Sequence, residues 1–141
     1  MPIQSKHAAE KMRISYVQID PFPEHWAALR IDREMSARRD HLTGRDIRLA
    51  NADSVRENCW LDKIEASLDC GRVLVICGYL HVKFLSQKVE ERGDAVVEKS
   101  TFPAELFHRE PDMILDPTGL EDYLKKLRAE SVYSEKAIPL G

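Results

Sequence analysis

Five apolar residues stand in a row from Val73 to Cys77, three of them β-branched, without the polar alternation of a half-exposed strand. Such a run predicts a strand covered on both faces, as in a parallel sheet. Gly78 follows, and predicts a sharp turn out of the sheet. His81 then falls in the first turn of a helix, near the C-terminal edge of the strand, where open α/β sheets bind ligands.

The rest of the pattern arranges itself around that stretch. Gln4 to Met12 has helical spacing at Ala8, Ala9 and Met12, and runs into Ile14–Ile19, whose alternation predicts a strand ending at Asp20-Pro21. Asp20 thus stands at a strand end, either as a site residue or as a plain turn cap. Between Pro21 and Asn51 the pattern is least regular. Phe22, Trp26, Leu29, Ile31 and Met35 suit the apolar side of one or two short helices, and Leu42–Asn51 reads as a loop.

Ser54-Val55-Arg56-Glu57 has the form of a capping box and predicts a helix start, with Trp60, Leu61, Ile64 and Leu68 as its buried stripe. Arg56 is the odd member, because a cation in the first turn opposes the helix dipole and calls for an anionic partner. After His81 the helix runs through Val82, Leu85 and Val89 to a cap at Gly93, and Ala95–Lys99 predicts a third strand. Phe102–Asp116 reads as an irregular connector. Thr118-Gly119-Leu120-Glu121 is a second capping box, and Leu120, Tyr123, Leu124 and Leu127 form an amphipathic face that closes the domain or pairs with a second copy. The expected fold is α/β: a small parallel sheet of about three strands with helices on both faces, in a single domain over residues 1–141 with a surface tail from 131 to 141.

Composition narrows the class. A chain of 141 residues, 43% hydrophobic and 32% charged, suits one globular domain rather than a disordered segment. A net charge of −3 gives no electrostatic case for nucleic acid. The arginines at 30, 33, 38, 39, 45 and 48 are interrupted by Asp32, Glu34, Asp40 and Asp46, as on a solvated helix face. Cys59, Cys70 and Cys77 are odd in number and lack C-x-x-C spacing, which fits a reducing, cytoplasmic setting. No run reaches the length of a membrane span.

The sharpest chemical constellation is Gly78-x-x-His81, with Asp20 beyond the first strand and Glu98 near the end of the third. His81 and Asp20 are ordinary ligands for zinc, manganese or iron, and such a divalent metal would acidify a bound water for hydrolysis. The same pair also suits acid–base work without metal. A histidine that simply caps the helix stays open beside both. Cys77 ends a buried run and reads as a core thiol rather than a nucleophile. P-loop, G-x-G-x-x-G, H-E-x-x-H and G-x-S-x-G motifs are all missing.

Arg56-Glu57-x-x-Trp60-x-x-Lys63-Ile64, followed by Val73-Leu74-Val75-Ile76-Cys77-Gly78-x-x-His81-Val82, a helix and Gly93, resembles the C-terminal half of the TraB/PrgY superfamily. That superfamily is related to the Tiki metalloproteases, the erythromycin esterases and the ChaN-like proteins. The resemblance covers residues 53–93 and implies a divalent-metal or acid–base hydrolase site, with His81 and Arg56 catalytic; the pocket read from the residues themselves sets Gly78, Asp20 and Arg56 against a ligand. Members also carry an N-terminal half with a further G-x-x-H and catalytic glutamates, which nothing before Asp20 matches. The expectation is therefore a remnant hydrolase or a half-site that a second chain completes. The alternative is a non-catalytic homodimeric module that binds a small anionic ligand, or a partner through the helices of Trp26 and Tyr123.

Overall fold

Asp32 and Glu34 in the first turn of one helix, and Arg38, Arg39 and His41 in its last, complement the helix dipole at both ends. That helix is one of five in the computed structural model, which describes residues 2–41, 44–68, 71–92 and 110–137. In chain order the elements are α1 (Pro2–Met12), a 3-10 turn (Pro23–His25), α2 (Asp32–His41), β1 (Ile47–Leu49), α3 (Ala52–Ser67), α4 (Tyr79–Arg92), β2 (Met113–Leu115) and α5 (Pro117–Ala137). The fold is mixed helix and strand, with a two-stranded parallel sheet.

The sheet lies where the hydrophobic pattern did not place it. β1 and β2 pair in parallel with Ile47 opposite Met113 and Leu49 opposite Leu115. They fall inside the expected loop Leu42–Asn51 and the expected connector Phe102–Asp116. Three residues with an arginine in the middle carry no readable period, and the pairing joins positions 66 apart, Asp46 to Asp112. Burial rather than propensity makes these strands: Ile31 and Leu49 are fully enclosed and sit in one cluster with Met35, Ala37, Ile47, Ala52 and Leu120. Each such side chain stabilises the fold by about 1.5–3 kcal/mol.

The run Arg72–Cys77 carries no ladder among the described residues. It is not the doubly buried strand its composition predicts. Val75 and Cys77 pack on a second cluster of Trp60, Ile64 and Leu85, whereas Leu74 is 80% and Ile76 58% exposed. Ile14–Ile19 likewise carries no ladder among the described residues, with Ile19 on the second cluster and Ile14 and Val17 exposed. The expected strand Ala95–Lys99, the cap at Gly93 and Glu98 lie outside the described residues.

Neither capping box operates. α3 begins at Ala52, two residues before Ser54, and its first N–H groups are met from α2: Ala52 N–H donates to Glu34 Oε2 at 3.1 Å while the Asn51 amide donates to Glu34 Oε1 at 2.7 Å. α5 begins at Pro117, preceded by Asp116, whose Oδ1 accepts the Gly119 N–H at 2.6 Å. Both motifs therefore lie one or two residues inside their helices, which leaves Glu57 free for another task. α5 continues through Ala137, so the first part of the stretch from Ser131 that is expected as a surface tail is helical. Leu120, Tyr123, Leu124 and Leu127 all pack on the first cluster, as does Trp26. Apart from Leu120 these side chains are part-buried, so the faces expected to meet a second copy or a partner pack in part on the fold's own core.

Candidate functional site

The buried stripe of α3 changes character along its length. Ile64, Leu61 and Trp60 are apolar, but the same helical face continues N-terminally to Glu57, Arg56 and Asp53. Charged side chains on a buried face need partners, and each of these has them.

Glu57 is the centre, at 0% side-chain exposure. Arg48 from β1 grips it with two hydrogen bonds, Nη1 to Oε2 at 2.8 Å and Nη2 to Oε1 at 2.9 Å. Strand alternation turns Arg48 away from Ile47 and Leu49, and its guanidinium lies 3.6 Å from the Phe84 ring centroid on α4. Lys88, also on α4, stands 3.6 Å from Glu57 Oε1 and is held by the Ser54 carbonyl and hydroxyl and by Asn58. Burial alone would push the Glu57 carboxyl up. The hydrogen bonds from Arg48 and His81, with their charges, outweigh it and lower it from its ordinary 4.5 to about 2.

His81 Nδ1 lies 2.7 Å from Glu57 Oε2, with the imidazole 15% exposed. An ionised carboxylate only accepts hydrogen bonds, so Nδ1 must carry the proton and donate. In its neutral form the ring then keeps its lone pair on Nε2, which no described residue hydrogen-bonds. The Trp60 ring packs against the imidazole at a steep angle, at 4.7 Å between centroids and 68° between planes.

A second chain of ion pairs runs beside the first. Arg56 Nε and Nη2 each donate to one oxygen of Asp20 at 3.0 Å, and its Nη1 donates to Asp53 Oδ1 at 3.1 Å. Asp53 is gripped in turn by Arg38 at 2.8 and 2.9 Å and accepts the Leu49 N–H at 2.8 Å. Burial raises the Asp53 carboxyl, but the Arg38 hydrogen bond and charge, with Leu49, overcome it and hold it below the usual range. Trp60 joins the two chains, because its indole N–H donates to Asp20 Oδ1 at 3.0 Å while its ring meets His81.

The expected residues thus gather, with altered roles. Arg56 has its anionic partner, Asp20, and both oxygens of Asp20 are taken. Asp20 and His81 are joined through Trp60 rather than converging as two ligands. No group of three or more His, Cys, Asp or Glu among the described residues is placed to hold a metal ion. One imidazole nitrogen beside carboxylates committed to arginines does not suit a divalent cation. Cys77 packs inward, and burial, then the nearby Glu57 charge, push its thiol up to about 11, which disfavours a thiolate nucleophile.

Gly78 has a smaller part than expected. Its φ is not positive, and its carbonyl accepts the His81 N–H at 3.0 Å as the cap of α4. A Cβ there would meet only His81 Cδ2, at 3.6 Å. Gly78→Ala is expected to cost no more than about 1 kcal/mol in urea unfolding. A loss of several would show that the position needs glycine.

Glu57 and Arg48 were missed at the sequence level. The available signal was the α3 stripe, which lands on Asp53, Arg56 and Glu57 when extended backwards by helical spacing. Of the arginine run, Arg38 and Arg48 turn inward to Asp53 and Glu57, whereas Arg33 pairs with Glu121 at the surface. No described helix is long and apolar enough to cross a membrane. No family model, curated protein or solved structure matches the chain.

Proposed function

We propose that the protein carries a metal-independent acid–base site of the hydrolase type, centred on His81 and completed by a second polypeptide segment or chain. The single observation behind it is the buried Glu57 carboxylate 2.7 Å from His81 Nδ1, which leaves Nε2 as the proton acceptor. In the step proposed, Nε2 takes a proton from water as the water oxygen adds to a carbonyl carbon. His81 then returns that proton to the leaving group as the bond to it breaks.

The resemblance of residues 53–93 to the C-terminal half of the TraB/PrgY superfamily agrees with this, with His81 as the G-x-x-H histidine. Under the same reading the sheet has about three strands with helices on both faces, and the protein acts in the cytoplasm. Arg56 supports the site from behind rather than meeting substrate, since its guanidinium is committed to Asp20 and Asp53.

The test is hydrolysis of simple aryl esters and peptides by the wild type, His81→Ala and Glu57→Gln, with and without chelator. The rate is expected to fall about 10²–10⁴-fold in His81→Ala and to be indifferent to chelator. Equal rates in wild type and His81→Ala would overturn the reading, and stoichiometric metal lost with His81 would overturn its metal independence.

A second reading, a homodimeric binding module, is favoured by the apolar side chains of Leu74, Ile76, Ile14 and Val17, exposed along two segments outside helix and strand. It expects twice the chain mass in solution, unchanged by His81→Ala and halved by Ile76→Asp.

A further inference from the structure

We propose that Asp20, Arg56 and Trp60 form a positioning arm for His81, in which the indole passes the order of the Asp20–Arg56 ion pair on to the imidazole. The proposal rests on the reading of His81 as the working base and assigns these three residues to holding it rather than to contact with substrate.

One hydrogen bond does not fix an imidazole. The second side-chain torsion of histidine is broad and roughly two-fold, so a ring tied only at Nδ1 can still swing about that bond. Glu57 decides which nitrogen carries the proton. The ring plane needs a second constraint, and the tilted contact with Trp60, at 4.7 Å between ring centroids, supplies it.

An indole packed only on Ile64 and Leu85 would itself be held by apolar contact alone. Its N–H is anchored instead, at 3.0 Å on Asp20 Oδ1. Asp20 belongs to a segment without a ladder, so its carboxylate needs its own anchor, and Arg56 provides it with one bond to each oxygen. Arg56 in turn is steadied by Asp53, which Arg38 of α2 and the Leu49 N–H of β1 hold in place. The arm therefore reaches from the sheet to the imidazole through hydrogen bonds that leave Nε2 unused, with a ring contact as its last link.

The test is nitrogen-15 NMR of the His81 imidazole in the full chain, with cross-relaxation between the His81 and Trp60 ring protons read on the same samples. The wild type is expected to show one tautomer, protonated on Nδ1, and a clear contact between the rings. Asp20→Ala should lose the ring contact while Glu57 keeps the proton on Nδ1. Asp20→Asn, which still offers the indole an oxygen, should keep both features. Trp60→Phe keeps an aromatic ring without the anchor and should behave like Asp20→Ala, so it decides the matter if that variant does not fold. A wild-type ring contact in Asp20→Ala or Trp60→Phe would overturn the proposal. So would equal loss in Asp20→Asn, which marks a general loosening. Absence of hydrolysis by the wild type bears on the proposed activity alone, because the spectra report the arm without any substrate.

Discussion

Glu57→Ala is expected to cost about 3–5 kcal/mol of folding stability, the largest effect of any single change in the site. The loss comes less from the missing carboxylate than from what stays behind. Arg48 is buried, its two nitrogens at 2.8 and 2.9 Å from Glu57 would lose their acceptors, and the Phe84 ring on its face cannot hydrogen-bond them. His81 Nδ1–H and Lys88 lose an acceptor and a counter-charge at the same stroke. The comparison that isolates this cause is Glu57→Leu with Arg48→Met in one chain. Removal of both charges together should recover much of the loss, since a well-packed apolar pair often replaces a buried ion pair without penalty. Urea unfolding of the single and double variants measures both. A cost below about 1 kcal/mol for Glu57→Ala would mean that Arg48 reaches water when its partner goes.

The second large effect is acid sensitivity between pH about 4.5 and about 2, the range between the ordinary and the folded values for Glu57. The folded carboxyl is the stronger acid, so the unfolded chain binds the proton first as pH falls. The stabilisation from this group is complete above pH about 4.5 and drains away as pH descends through about 2. Its size is on the order of 3 kcal/mol. Asp53, also held below its usual range, steepens the same limb. Wild-type stability measured by urea unfolding at pH 6, 4.5, 3 and 2 should fall across the lower part of the series, and Glu57→Gln should fall distinctly less. Parallel curves for the two proteins would show that the carboxylate is not held by Arg48 and His81 as described.

The two predictions turn on residues that the hydrophobic pattern made easy to misread. Ser54-x-x-Glu57 has every mark of a capping box, yet the helix starts at Ala52 because Glu34 on α2 accepts that N–H, a contact 18 residues away that local spacing does not reveal. Glu57 therefore turns inward instead of back to the helix end. His81 in the first turn of a helix, the α3 stripe and an anionic partner for Arg56 were legible, because each follows from a local period or a local charge imbalance. The identity of that partner as Asp20 and the convergence of Glu57 with His81 depend on which segments pack together. The strands were misplaced for a related reason. Apolar residues at 73–77 looked like the most buried part of the chain, whereas Ile47-Arg48-Leu49, with a charge at its middle, is buried at every position. An arginine that finds a carboxylate inside the protein counts as core, and composition alone cannot anticipate the pairing.

All of these inferences depend on the bond between Glu57 and His81, and a double-mutant cycle of Glu57→Gln and His81→Ala, read by urea unfolding at pH 7, tests it most directly. The loss of a hydrogen bond to an ionised group predicts a coupling of about 1 kcal/mol or more between the two substitutions. Additivity within about 0.5 kcal/mol would contradict it, and with it the placement of the imidazole by the buried carboxylate.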